Sequence, residues 1–362
     1  MGILEIYSIF LLFSLLLFTG AKIFSISTRS RVTSTLELNQ ITVIIPFRNE
    51  ARCLPFLLQS IENQENLPFE VLFIDDHSTD FSSSVINSFI HDNNFGSLLK
   101  LPDGKMGKKE ALNLGVTSAQ TSYVLTLDAD VVLDKHYFNS LLSKPQSVLL
   151  ALPVVMKGKG FFDRFFATEY SFFNAFNFLI ARIWPISISG ANLLINKTAI
   201  NYENQLLGHK HIASGDDYFL LKYFRRSKQS IYFGNNIESS VVTQAPSSFK
   251  SYFDQRVRWL SKSKYKAECR DTIIGVFMFV YFIGGVFTLI VAGITGDWVL
   301  LLSIFMMRLL LDAIVYLNYA QRLRETRNVL MLPFFQIFYP FLLIVVGALS
   351  VFYRPKWKGR KV

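Results

Sequence analysis

Cysteine is scarce: the 362 residues contain two, Cys53 and Cys269. They stand far apart and without metal-ligand spacing, so the sequence supports neither a disulfide framework nor a zinc site, and a reducing cytoplasmic compartment fits. Acidic residues are outnumbered, 27 against 37 Lys and Arg, for a formal net charge of +10. Such an excess can address nucleic acid, acidic lipid headgroups or anionic substrates. The basic residues cluster beside apolar runs, so the membrane reading comes first and a nucleic-acid partner is not expected. No internal repeat or low-complexity tract is evident. Apolar side chains, by contrast, abound: 51% of the chain is hydrophobic and 35 residues are Phe, which points to bilayer contact.

The run Ile6 to Ile26 is long enough to cross a bilayer as a helix, and residues 1–28 are expected to form an N-terminal transmembrane segment. Glu5 stands where a cleaved signal peptide would carry basic residues, and the run exceeds a signal core in length. Lys22, Arg29 and Arg31 follow, so the positive-inside rule puts the next domain in the cytoplasm. Three further apolar segments fill residues 273–353: Ile273 to Ile294, Trp298 to Tyr319 and Val329 to Phe352. Gly296 and Asp297 make a tight turn between the first two, which read as a helical hairpin. Arg308 and Asp312, at i,i+4 spacing, can pair on one helix face. Pro333 and Pro340, together with the basic tail 354–362, lead to the expectation that the last segment is broken or re-entrant and returns the tail to the cytoplasmic face; the alternative is a plain fourth span.

Between the membrane segments, residues 38–266 alternate short apolar strands with helix-like stretches. Thr42 to Pro46, Glu70 to Asp75 and Tyr123 to Asp128 read as buried strands ending in polar residues, which argues for an α/β domain with a mostly parallel sheet. Ligands gather beyond the carboxyl ends of such strands. Near 159–184 lies a Phe-rich stretch, Phe161, Phe162, Phe165, Phe166, Phe172, Phe173, Phe176 and Phe178, whose amphipathic spacing predicts a helix at the membrane interface; an ordinary core helix is the alternative.

The polar clusters fall at strand ends. The first strand runs into Pro46, Phe47, Arg48, Asn49 and Glu50, and the second into Asp75, Asp76, His77, Ser78, Thr79 and Asp80. Acids there can accept hydrogen bonds from a base edge or ribose, although Asp-rich turns are also common loop caps. The third ends in Asp128, Ala129 and Asp130, whose carboxylates can share Mg²⁺ or Mn²⁺ and the diphosphate it neutralises. Lys108, after Gly107, can serve as a point charge for phosphate or belong to a solvated basic face. In Ser214-Gly215-Asp216-Asp217, a carboxylate can act as general base or as a helix N-cap; the cap is assigned to Asp216 and the base to Asp217. Gln255, Arg256, Val257, Arg258 and Trp259 stand just before the hairpin, where Trp and Arg also serve as interfacial anchors.

Taken together, these elements resemble the membrane-embedded branch of the inverting family-2 glycosyltransferases of the GT-A fold, whose signature is D, D-x-D, (E/D)-D and Q-(Q/R)-x-R-W. That branch includes ceramide glucosyltransferases and cellulose and hyaluronan synthases. The resemblance covers Ile41 to Trp259 in order, and Gln255-Arg256-Val257-Arg258-Trp259 is its most specific part. It implies that Asp76 contacts the nucleotide base with Pro46 and Glu50 beside it, and that Lys108 lies near the donor. Asp128 and Asp130 match D-x-D, with Asp130 favoured as metal ligand, and Asp217 matches the base. Gln255, Arg258 and Trp259 match residues that hold the diphosphate and shape the acceptor entrance. Gly190, Ala191 and Asn192 resemble a segment near the acceptor, and Asp216 stands where Glu is commoner.

The activity implied is inverting transfer of a sugar from a nucleotide-diphosphate donor, with UDP favoured by the resemblance, to a membrane lipid at a bacterial inner membrane. A processive polysaccharide synthase is the competing enzyme. A nucleotide-binding membrane scaffold or small transporter, with Arg308 and Asp312 as pathway residues, is the reading from another class. The sequence leaves the oligomeric state open.

Overall fold

The computed structural model describes residues 3–27, 36–200, 215–261, 268–357 and 360–361. Arg29, Arg31, Ser214, Lys358 and the boundary at 266 lie outside the described residues. In chain order, helix α1 is Ile3–Ser27, strand β1 Ile41–Phe47, α2 Leu54–Glu62, β2 Glu70–Asp75, α3 Ser82–Asn93 and β3 Ser97–Lys100. Helix α4 is Lys108–Ser118, followed by β4 Tyr123–Leu127, β5 Val132–Leu133, α5 Tyr137–Leu141, β6 Leu149–Ala151, β7 Val154–Lys157 and α6 Phe161–Ile180. Then come β8 Asn192–Asn196, α7 Asp216–Arg226, β9 Ile231–Phe233, β10 Val241–Gln244, α8 Phe249–Ser261, α9 Cys269–Thr295, α10 Trp298–Ala320 and α11 Leu332–Phe352. The chain divides into two compact units, one of Met1–Ser30, Lys157–Ile186 and Ala245–Pro355, the other of Arg31–Met156, Ser187–Gln244 and Lys356–Val362.

The second unit is built on a seven-stranded mixed sheet in the order β3-β2-β1-β4-β8-β6-β9. Strands β3, β2, β1 and β4 run parallel, and β8 is antiparallel to both β4 and β6. Every residue of β1 and β4 is buried, which is why their sequences are almost continuously apolar instead of alternating. Pro46 lacks a ladder donor, yet it stands in a central strand. Its position explains this: pairing with β4 ends at Ile44↔Thr126, so β1 has already run past its neighbour. That overhang carries the chain to Arg48, Asn49 and Glu50 beyond the sheet's carboxyl edge. A small three-stranded sheet, β5-β10-β7, completes the unit.

The first unit gathers α1, α6 and α8 to α11. Among the described residues, four of its helical segments are long and apolar enough to cross a membrane: Glu5–Lys22, Cys269–Thr295, Trp298–Ala320 and Thr326–Phe352. Between α9 and α10 the turn forms as its residues dictate. Gly296 adopts φ 70°, a left-handed conformation costly for other residues, and Asp297 caps α10 by accepting from Leu300 N at 3.0 Å.

Two expectations are corrected here. Helix α11 is continuous, not broken: Pro333 occupies its first turn, where no intrahelical donor is needed, and Pro340 is accommodated inside it. Arg308 and Asp312 are both buried but do not close on each other. Asp312 instead accepts from Tyr281 Oη and Gln336 Nε2, each at 2.8 Å, while the Arg308 guanidinium lies 5.3 Å from the Tyr281 ring centroid. With Tyr7 Oη donating to the Tyr281 carbonyl at 2.7 Å, this network links α1, α9, α10 and α11. The Phe-rich stretch turns part of its aromatic surface inward: Phe165 and Phe172 are buried, with Phe335 and Phe282 among their ring neighbours, whereas Phe161 and Phe162 are exposed.

Candidate active site

Two loops at the carboxyl edge of the sheet are stitched together by their own side chains. Asn49 Oδ1 accepts from Thr79 N at 2.8 Å, and Asn49 N donates to Ser78 Oγ at 3.1 Å. Arg48, which the sequence did not single out for a role, donates from one nitrogen to the carbonyls of Asp76 and His77 at 2.6 and 2.7 Å. Glu50 N donates to Ser82 Oγ at 2.7 Å, so the Glu50 backbone is fixed on the first turn of α3. These bonds hold Pro46 and Glu50 at one end of the sheet with Asp76. The Asp76 side chain is buried, and its Oδ1 accepts from Gly107 N at 3.0 Å, which fixes the loop leading into α4.

That loop delivers Lys108. Its ammonium donates to Asp128 Oδ1 at 2.5 Å and lies 3.9 Å from Asp216 Oδ2. Burial acts to lower the Lys108 pKa, but the carboxylates of Asp128 and Asp216 outweigh it and hold the side chain charged well beyond the usual lysine range. Lys108 is thus a bridge between D-x-D and the paired acids of α7, not part of a solvated basic face.

Gly190 completes the cluster. A Cβ there would come within 2.9 Å of Asp216 Oδ2, 3.4 Å of Lys108 Nζ and 3.8 Å of Asp217 Cβ, so a side chain at this position would displace the Asp216 carboxylate from its present place. Thr126, near the end of β4, donates to the Gly190 carbonyl at 3.1 Å and ties that backbone to the D-x-D strand. The sequence had Asp216 as N-cap; the cap position is Gly215, and Asp216 is the first helical residue with its carboxylate directed to Lys108. Asp217 Oδ1 accepts from Tyr218 N at 2.7 Å.

Asp130 is exposed beyond β4, whereas Asp128 is partly buried on Lys108. Cys53 lies close enough that its thiol pKa is raised, first by burial and then by the Asp130 charge, which makes it a poor nucleophile. Among the described residues, no three His, Cys, Asp or Glu side chains gather to cage a cation. A hard divalent ion at a diphosphate site takes only one or two protein carboxylates and completes its shell with phosphate oxygens and water, and an exposed Asp130 fits that demand.

In the other unit, α8 carries Gln255, Arg256, Arg258 and Trp259. Arg256 is buried against Glu169 of α6, to which it donates from Nε at 2.9 Å and from a terminal nitrogen at 3.0 Å. Its other terminal nitrogen donates to Gln255 Oε1 at 2.6 Å, and the guanidinium carbon lies 4.5 Å from the Trp259 ring. The role of Glu169 could not be read from sequence, since 87 residues separate it from its partner.

The profile of glycosyl transferase family 2 matches residues 42–192. The 4,4'-diaponeurosporenoate glycosyltransferase of Staphylococcus aureus (strain N315) is 36% identical over 131 residues, 35% of this chain and 34% of the relative. The glycosyltransferase GlyG of Streptococcus pneumoniae is 26% identical over 106 residues, 29% of this chain and 35% of the relative. The chain therefore spans about a third of the length of the curated relatives it matches. Among solved structures, the mannosyltransferase PcManGT from Pyrobaculum calidifontis, in complex with GDP-Man and Mn²⁺, superposes with a TM-score of 0.56 at 14% identity, over 95% of this chain and 98% of that one. The sheet order, the strand-end acids and these likenesses converge: residues 42–192 form a glycosyl transferase family 2 domain, and the fold is GT-A accompanied by helices long and apolar enough to cross a membrane.

Proposed function

We propose that this chain is an inverting glycosyltransferase that moves a single sugar from a nucleotide-diphosphate donor, UDP-linked by the family resemblance, to a lipid acceptor held in the membrane. The observation that carries the reading is the convergence of Lys108, Asp128, Asp216, Asp217 and Gly190 at the carboxyl edge of the sheet. Four separate chain segments meet there around one ammonium, at the place where α/β sheets bind their ligands.

In this mechanism Pro46, Glu50 and Asp76 border the nucleotide, and Lys108 faces the diphosphate. Asp130 would hold Mg²⁺ or Mn²⁺, which would neutralise charge on the leaving diphosphate. Asp217 takes the proton from the acceptor hydroxyl, whose oxygen attacks the anomeric carbon as the bond from that carbon to the diphosphate oxygen breaks. A single in-line displacement inverts the configuration. Asp216 keeps Lys108 in place beside Asp217, close to Gly190 on the acceptor side. Gln255, Arg258 and Trp259 grip the diphosphate and shape the acceptor entrance, with Arg258 countering the charge that develops on the leaving group.

A lipid acceptor is supported by the four apolar helices and by the staphylococcal relative, whose name gives 4,4'-diaponeurosporenoate as its acceptor. The setting proposed is a bacterial inner membrane with the α/β domain in the cytoplasm, from the positive-inside reading of Lys22, Arg29 and Arg31 after the first apolar run. A polysaccharide synthase must also conduct its polymer across the bilayer. Arg308, Tyr281, Phe282 and Phe335 are all fully buried among the helices, and this filled interior favours single transfer.

Replacement of the base tests the reading. Asp217→Asn keeps shape and removes basicity, so transfer should fall by about 10²- to 10⁴-fold while donor affinity stays within a few-fold. Asp216→Asn should instead disturb donor affinity through Lys108. Harmless Asp217→Asn in a chain crippled by Asp216→Asn would reverse the two roles.

A further inference from the structure

Of the two arginines in Gln255-Arg256-Val257-Arg258-Trp259, Arg256 has its donors turned into the protein. Nε and one terminal nitrogen form a fork on the two oxygens of Glu169, and the other terminal nitrogen meets Gln255 Oε1. The guanidinium is sandwiched, with its carbon 4.8 Å from the Tyr252 ring centroid and 4.5 Å from that of Trp259. Glu169 is 3% exposed and Arg256 7%. A planar guanidinium held by three hydrogen bonds and two ring contacts has little freedom, and it transmits that order to whatever it touches.

What it touches are the side chains on either side of it in the motif. Gln255 is oriented by the bond to its amide oxygen, and Trp259 by the face of the cation; Tyr170, next to Glu169, flanks the same indole at 5.9 Å. The docking of α8 on α6 does not depend on the ion pair alone. Phe162 and Phe166 both meet Phe249, at 4.9 and 5.4 Å, and Phe166 stacks on Tyr252 at 4.3 Å. Loss of the Glu169 charge would therefore leave the helices together while freeing the guanidinium, and with it Gln255 and Trp259.

We propose that Glu169 is the positioning residue for the Gln255-to-Trp259 segment: acting through Arg256, it sets the orientation of Gln255 and Trp259 and thereby the grip on the donor diphosphate. This rests on the reading that Gln255, Arg258 and Trp259 meet the donor. Arg256 and Arg258 then have separate tasks, the first consumed internally and the second directed to the ligand. An arginine at the second position of the motif demands a buried carboxylate to neutralise it, and the Phe-rich helix supplies one.

The test compares full-length wild type, Glu169→Gln, Arg256→Lys and Arg258→Ala in lipid nanodiscs, with KM for the nucleotide sugar, KM for the acceptor, kcat and Tm measured for each. Glu169→Gln should raise the donor KM tenfold or more and leave the acceptor KM within about twofold. Arg256→Lys keeps the charge but loses the fork, so it should shift the donor KM the same way by a smaller factor with little change in Tm. If Glu169→Gln does not fold, Glu169→Asp, with its shorter reach, should give the intermediate rise. A lowered Tm with unchanged donor KM in the Glu169 and Arg256 variants would mean a merely structural pair and would overturn the proposal. Should Arg258→Ala raise the donor KM while Glu169→Gln does not, the donor role of the segment stands and the positioning role fails. If Arg258→Ala leaves donor KM unchanged, the underlying reading fails and takes this inference with it.

Discussion

At Lys108 two demands compete for one ammonium. Asp128 and Asp216 hold it in the free protein, and a nucleotide diphosphate brings more negative charge than either carboxylate. The short bond to Asp128 also separates the two acids of D-x-D: Asp128 anchors the lysine, and Asp130, exposed at the strand end, is the one we propose as metal ligand. Asp130→Ala should accordingly abolish transfer and remove the dependence of nucleotide binding on Mg²⁺ or Mn²⁺, measured by titration calorimetry with and without the ion. Metal-dependent binding that survives in Asp130→Ala would assign the ion elsewhere. Motif spacing in the sequence names Asp128, Asp130, Asp216 and Lys108, but it cannot say which carboxylate takes the lysine. That depends on tertiary approach across 20 and 108 residues, and on the missing Cβ at Gly190.

Among elements, the strands β1, β2 and β4 were legible because burial on both faces leaves an uninterrupted apolar run with polar residues at its end. The three-residue strands β6 and β9 carry no such signal, since their pairing is decided by neighbours far away in sequence. Helix α6 shows the limit of amphipathic patterning. Its periodicity reveals that one face is apolar but not whether lipid or protein covers it, and here Phe165, Phe166, Phe172 and Phe176 are covered by protein. Phe172 meets Phe282 and Phe335 at 6.1 and 4.9 Å. Phe172→Ala should therefore cost about 3–5 kcal/mol of stability, as large-to-small core changes do, and lower Tm with donor hydrolysis and lipid transfer falling together. A selective loss of lipid transfer at unchanged Tm would restore the interfacial role.

For the whole molecule, the direction of the last helix decides where the basic tail lies. The charges Arg354, Lys356, Lys358, Arg360 and Lys361 favour the cytoplasmic side. Helix α11, though continuous, meets Phe161 of α6 through Phe334 near its start, and Tyr353 just past its end donates to Asp254 of α8 at 2.6 Å. The end of α11 is thus tied to the motif-bearing helix, and the cytoplasmic tail remains an expectation from its charges. A single cysteine at Lys361, with Cys53 and Cys269 replaced by Ser, should resist an impermeant thiol reagent in sealed right-side-out vesicles and react after permeabilisation. Labelling without permeabilisation would establish a full fourth crossing.

The most direct test of the account is the product itself. Purified full-length protein would be incubated with a panel of nucleotide sugars, total lipid extract and Mg²⁺ or Mn²⁺, and the lipids analysed by mass spectrometry. The expected result is a lipid heavier by one sugar residue, formed with one donor, of inverted anomeric configuration, and reduced by at least about 10²-fold in Asp217→Asn. A ladder of many sugar additions, or equal product from Asp217→Asn, would contradict it.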